Sequence, residues 1–71
     1  MNRRNKQHSV GDTLYYHDEY MKRDRPGTVI QIIQHNMLTY YVLEVEVPVI
    51  GDSFLSLLSE YQVRLTPKEN T

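Results

Sequence analysis

Two stretches in the middle of the chain, Gly27-Thr-Val-Ile-Gln-Ile-Ile-Gln34 and Leu38-Thr-Tyr-Tyr-Val-Leu-Glu-Val-Glu-Val47, are short, rich in β-branched and aromatic residues and bounded by turn formers. That pattern predicts neighbouring antiparallel strands. In the second stretch Tyr41, Leu43, Val45 and Val47 alternate with Tyr40, Val42, Glu44 and Glu46, so the first set is expected inside and the acids outside. In the first, parity sets Val29, Gln31 and Ile33 on a partly wet face and Ile30 and Ile32 inward. His35-Asn36-Met37 suits the hairpin between them, because Asn36 tolerates left-handed dihedrals.

Val10-Gly11-Asp12 reads as a turn opening an earlier strand, with Leu14 and Tyr16 on one face and Thr13 and Tyr15 on the other. Residues 18–26 read as a charged loop, ended by a type II turn at Pro26-Gly27 where the next strand begins. A turn at 48–53 precedes a fourth strand from Phe54 to Leu58, although Phe54, Leu57, Leu58 and Tyr61 also stand at helical spacing. A single 3₁₀ turn near 59–62 and a last strand at Val63-Arg64-Leu65 complete the expectation: an all-β, five-stranded, strongly bent antiparallel barrel spanning residues 10–65. Residues 1–9 form a basic arm expected to be disordered, and 66–71 a polar tail.

Seventy-one residues make one small domain, and a chain of that size buries only about 60% of the surface its unfolded form exposes. A deep catalytic cleft is not expected. With no cysteine the core or a partner subunit must hold the fold. His8, His17 and His35 lie in separate segments without metal-ligand spacing, so neither a metal nor another cofactor is expected. No apolar segment is long enough to cross a membrane and no leader is recognisable, which makes the cytoplasm the default location.

Net charge is −1, but Arg3, Arg4 and Lys6 sit in the arm while residues 9–66 hold eight acids against four bases. The acidic body lacks the positive stripe of a nucleic-acid-binding surface. Such a role would rest on the arm and on Lys22, Arg23 and Arg25. Six tyrosines point elsewhere, because rigid aromatic surface suits protein recognition. Tyr15, Tyr20, Tyr40 and Phe54, flanked by Asp18, Glu19, Glu44 and Glu46, are the candidate patch for a basic or methyl-lysine peptide. Tyrosine also simply suits strand surfaces, and Glu44 and Glu46 simply suit a solvated face. No nucleophile, acid–base pair or phosphate loop is recognisable, so no catalytic residue is named and the chain reads as a non-enzymatic binding module. The apolar run from Val45 to Ile50 offers an edge for a homodimer or an added peptide strand, with Pro48 as a guard.

Val10-Gly11-Asp12, Gly27-Thr-Val29 with Ile32, Tyr40-Tyr-Val-Leu43, and Ser59-Glu60 leading to Val63-Arg64-Leu65 together resemble the Src-homology-3-like group of small barrels, which includes Tudor and KOW domains. Gly27, Val29 and Ile32 look like the second half of a KOW motif, which would imply a nucleic-acid or ribosome contact. Tyr40-Tyr-Val-Leu-Glu44 followed by Pro48-Val resembles the central strands of the polymerase-binding domain of CarD-type regulators, whose histidine- and glycine-rich segment is absent here. Type II dihydrofolate reductases share the barrel size, but no equivalent of their pore-lining segment is recognisable. A short cysteine-free chain with a basic arm suits a phage or mobile-element product as readily as a cellular one.

Overall fold

The computed structural model of the chain describes residues 8–67. Five antiparallel strands form one sheet: β1 (Thr13–Asp18), β2 (Arg23–His35), β3 (Leu38–Val47), β4 (Asp52–Ser59) and β5 (Val63–Arg64), in the spatial order β4-β3-β2-β1-β5. The sheet is open: β4 and β5 are its edges and do not pair with each other. Among the described residues no helix is long and apolar enough to cross a membrane.

β2 organises the sheet. Its first half pairs with β1, from Asp18 opposite Arg23 to Thr13 opposite Thr28, and its second half pairs with β3, from Thr28 opposite Glu44 to His35 opposite Leu38. The expected charged loop over 18–26 is therefore a four-residue turn, 19–22, and Pro26-Gly27 lies inside a strand rather than in a type II turn. Asp18 makes the short turn: its side chain accepts from the N–H groups of Tyr20 and Met21, its carbonyl accepts from Lys22, and Lys22 takes a left-handed φ of 59°. Pro26 is tolerated because Val29 N–H donates to Asp12, so by ladder alternation the Pro26 nitrogen faces the side on which β2 has no neighbour.

Gly27 serves a close approach, not a turn. A Cβ built on it would stand 2.9 Å from Leu43 Cβ and 3.3 Å from Val45 Cγ2, so the half of β2 that pairs with β1 lies directly against the inner face of β3. Leu14, Tyr16, Val29, Tyr41, Leu43, Val45 and Leu58 form the core there, with Ile32 and Val63 packed on its margin. Burial pushes the Tyr16 phenol above its ordinary value, and the Asp18 carboxylate adds to the shift against the opposing pull of Arg25.

Between Val29 and Gln31 the register slips by one residue, leaving Ile30 as a bulge. The slip reverses side-chain parity, so Val29 is fully buried and Ile30 is 41% exposed, opposite to plain alternation, while Ile32 packs inward as expected. β3 follows its pattern: Tyr41, Leu43 and Val45 are buried, and Glu44 and Glu46 are exposed. The segment 52–59 is a strand, not a helix. After it, Gln62 N–H donates to Ser59 in one hydrogen-bonded turn, without a 3₁₀ helix. His8 packs edge-on against Tyr41 at 5.4 Å, and Ser9 N–H bonds the Asp12 carboxylate, so residues 8 and 9 belong to the folded body.

Replacing Gly27 by alanine would by backbone entropy alone stabilise a strand by about 0.5–1 kcal/mol. Here the Leu43 Cβ cannot rotate away, and overpacking of this kind costs about 1–3 kcal/mol, so Gly27→Ala is expected to lower the urea midpoint. The β2–β3 hairpin turns through Asn36 and Met37 with φ of 52° and 65°, the type I′ geometry that favours Asn-Gly. Met37 is 98% exposed and contributes no packing, so Met37→Gly is expected to raise stability by about 1 kcal/mol in the same measurement.

Candidate functional site

The open end of the sheet is closed by polar groups on its inner side. Arg25, opposite Tyr16 and therefore inward, donates to Asp18 Oδ2 at 3.0 Å and to the Glu46 carbonyl at 3.0 Å, and its guanidinium lies 5.8 Å from the centre of the Phe54 ring. One side chain thus ties the β1–β2 turn to the β3–β4 hairpin. Two members of this group were expected elsewhere. The sequence places Phe54 in an outward aromatic patch, but it sits opposite Val45 on the inner face, because strand parity carries Phe54, Ser56 and Leu58 to the core side. Arg25 reads in the sequence as part of a phosphate-contacting loop, but its charge is committed to Asp18.

A second polar cluster lies on the outer face across β1, β2 and β5. Asp24 is 96% buried as a side chain and paired with Arg64 at 2.6 Å, and His17 Nδ1 lies 3.4 Å from it. Tyr15, opposite both Pro26 and Arg64, is half-buried beside it. Both arginines with described side-chain bonds therefore face carboxylates, while Lys22 and Arg23 are exposed at the turn. Arg3, Arg4 and Lys6 lie outside the described residues.

The remaining candidates do not form one patch. Tyr15 pairs with Pro26 and Tyr40 with Ile33, positions separated by roughly 20 Å of extended strand along β2. Tyr20 is exposed at the tip of the β1–β2 turn. Tyr40, Glu44 and Glu46 do share the outer face of β3, in rows set by the register: Ile33–Tyr40–Ser59, Gln31–Val42–Leu57, Thr28–Glu44–Leu55, and Glu46–Ser53. Leu55 and Leu57 are each 61% exposed there, and Ile33, Tyr40 and Val42 are half-buried beneath the same surface. A shallow concavity with Glu44, Glu46 and Asp52 in its lining adjoins it, and Val49 and Ile50 project at the hairpin tip. The sequence marks these leucines as strand residues and not as a site, although apolar residues on both phases of Phe54-Leu-Ser-Leu-Leu58 leave apolar groups outside whichever phase is buried.

The expected free edge at Val45 to Ile50 is not an edge. Val45 and Val47 pair with Phe54 and Asp52, and 48–51 is the turn between the strands. The outermost strand on that side of the sheet is β4. Among the described residues no group of acids and histidines has the arrangement of a metal site. No family model, no curated protein and no solved structure matches the chain.

The Asp18 carboxyl is held below its ordinary value, first by the Met21 N–H and then by Arg25 and the Tyr20 N–H, against the opposing effect of desolvation. A lowered folded value means that the stabilisation is present above the unfolded value of about 3.9 and is lost as pH falls through the folded one. Asp18→Asn keeps an acceptor for the turn and deletes the negative charge that faces Arg25. The stability gap between wild type and Asp18→Asn is expected to be widest above pH ~4 and to close below it, measured by urea unfolding across pH.

Proposed function

We propose that the chain is a non-enzymatic module that binds a protein partner through the outer face of β3 and β4, and that its bent sheet is a small barrel of the Src-homology-3-like kind. The barrel reading is supported by β5 returning to pair with β1, by the long β2 shared between two ladders and by the overlap at Gly27. The binding reading is carried by one observation: Leu57 and Leu55 lie exposed opposite Val42 and Glu44, on the face that Tyr40 and Glu46 share. Apolar groups clustered inside a charged rim mark interaction surfaces rather than ordinary exposure. Charge complementarity makes the partner a segment with aliphatic or aromatic anchors and flanking Lys or Arg. The acidic body and the engagement of Arg25 and Arg64 with carboxylates favour this over a nucleic-acid contact.

The test is a titration of isotope-labelled protein with a library of short peptides carrying an apolar pair flanked by lysines, and separately with single-stranded RNA. Binding peptides are expected to shift the amides of Tyr40, Val42, Leu55 and Leu57, and Val42→Ser with Leu57→Ser is expected to weaken binding by tenfold or more, about 1.4 kcal/mol. Shifts confined to Lys22, Arg23 and the arm, with RNA affinity falling steeply as salt is added, would overturn the reading.

A further inference from the structure

We infer that β4 is a self-recognition edge, and that two copies of this chain pair β4 against β4 in an antiparallel ladder centred on Ser56. Among the described strands β4 hydrogen-bonds only to β3; it is eight residues long, yet within 53–59 it carries no charge and no proline, the usual guards of an exposed edge.

Backbone direction narrows the contact. Glu60 N–H donates to the Thr39 carbonyl, and the β3–β4 register runs unbroken from there, so ladder alternation turns Leu58, Ser56 and Phe54 toward β3 and the backbones of Ser53, Leu55, Leu57 and Ser59 toward the open side. The two outer N–H groups of that row are occupied by local side chains: Ser53 N–H by Asp52 Oδ1 at 2.8 Å and Ser59 N–H by Gln62 Oε1 at 2.8 Å. Leu55 and Leu57 stand between these caps, and they are also the two exposed leucines of the outer face.

The occupant follows from the residue order. Ser53-Phe-Leu-Ser-Leu-Leu-Ser59 reads the same in both directions by residue class. Antiparallel pairing about Ser56 sets Leu55 opposite Leu57 of the second copy, Phe54 opposite Leu58, and serine opposite serine throughout. Leu55 and Leu57 then exchange four backbone hydrogen bonds with their counterparts, and the outer apolar face continues across the two-fold axis. An uncharged edge offers nothing to a charged strand and matches a second uncharged edge, while Asp52 opposite Glu60 at each end sets acid against acid and stops the ladder there. Seven residues a side is well short of the ~20–30 of a standard interface, so the dimer is a weak one, in the micromolar range or above.

This inference goes beyond the partner-binding reading and fails separately from it, because the association of the chain with itself is measured with no peptide present and Leu55→Pro is read only by its effect on that association. Leu55 N–H points outward, so proline there removes a donor to the second copy but none to β3. Sedimentation equilibrium of the full chain from about 10 μM to 1 mM is expected to show the mass rising from monomer toward dimer, and Leu55→Pro, still folded by circular dichroism, is expected to remain monomeric. The chain has no cysteine, so Ser56→Cys gives a clean second measurement. The two Ser56 Cα atoms would lie about 4.5 Å apart as a non-hydrogen-bonded pair, within disulfide reach, and mild oxidation is expected to link Ser56→Cys. Ser53→Cys, whose copies would lie about 20 Å apart, is expected not to link. A monomer throughout the range, a dimer that survives Leu55→Pro, or equal linking of both cysteine variants would overturn the proposal.

Discussion

The absent side chain at Gly27 is the constraint on which this fold rests. β2 gives its first half to β1 and its second to β3, and the two ladders enclose a core only if the first half can lie on the Leu43 and Val45 side chains. Glycine allows that approach, and the bulge at Ile30 supplies the extra twist and turns Val29 into the same interior. Leu14 and Tyr16 then meet Leu43 and Val45 across a single core, which lets one sheet in a short chain bury its apolar face without a helix.

Polar groups fix what the core leaves open. Arg25 faces inward, where an unpaired cation would be costly, and is compensated by Asp18, the Glu46 carbonyl and the Phe54 ring at once. Asp24 is balanced on the other side by Arg64, with His17 Nδ1 3.4 Å away. Charges that look in the sequence like a basic loop thus act as clasps between strands. That shifts the candidate surface away from the β1–β2 turn and toward β3 and β4, where Glu44 and Glu46 border exposed leucines.

Much of the strand pattern is legible in the sequence where burial is strictly one-sided. β3 is the clearest case, because Tyr41, Leu43 and Val45 are separated by Val42 and Glu44, and β1 is read correctly from Leu14 and Tyr16 for the same reason. β2 is misread at both features that bend it. Pro26-Gly27 has turn chemistry, yet proline there faces a vacant side and glycine faces Leu43, facts set by strands distant in the chain. Val29-Ile-Gln-Ile-Ile33 is apolar on either phase, so no alternation could reveal the bulge at Ile30. Of the candidate site, Tyr40, Glu44 and Glu46 are legible from β3 parity. The separation of Tyr15 from Tyr40, the inward turn of Phe54 and the edge position of β4 depend on topology, which local pattern does not encode.

The direct test of this account is the proton–proton Overhauser pattern around Gly27 and the bulge in solution. The bent β2 requires strong contacts from the Gly27 α-protons to the Leu43 and Val45 side chains, together with cross-strand contacts from Val29 to Leu43 and from Gln31 to Val42. Gly27 α-protons without those contacts, or Ile30 in place of Gln31 opposite Val42, would mean that β2 runs straight and that the core described above does not form.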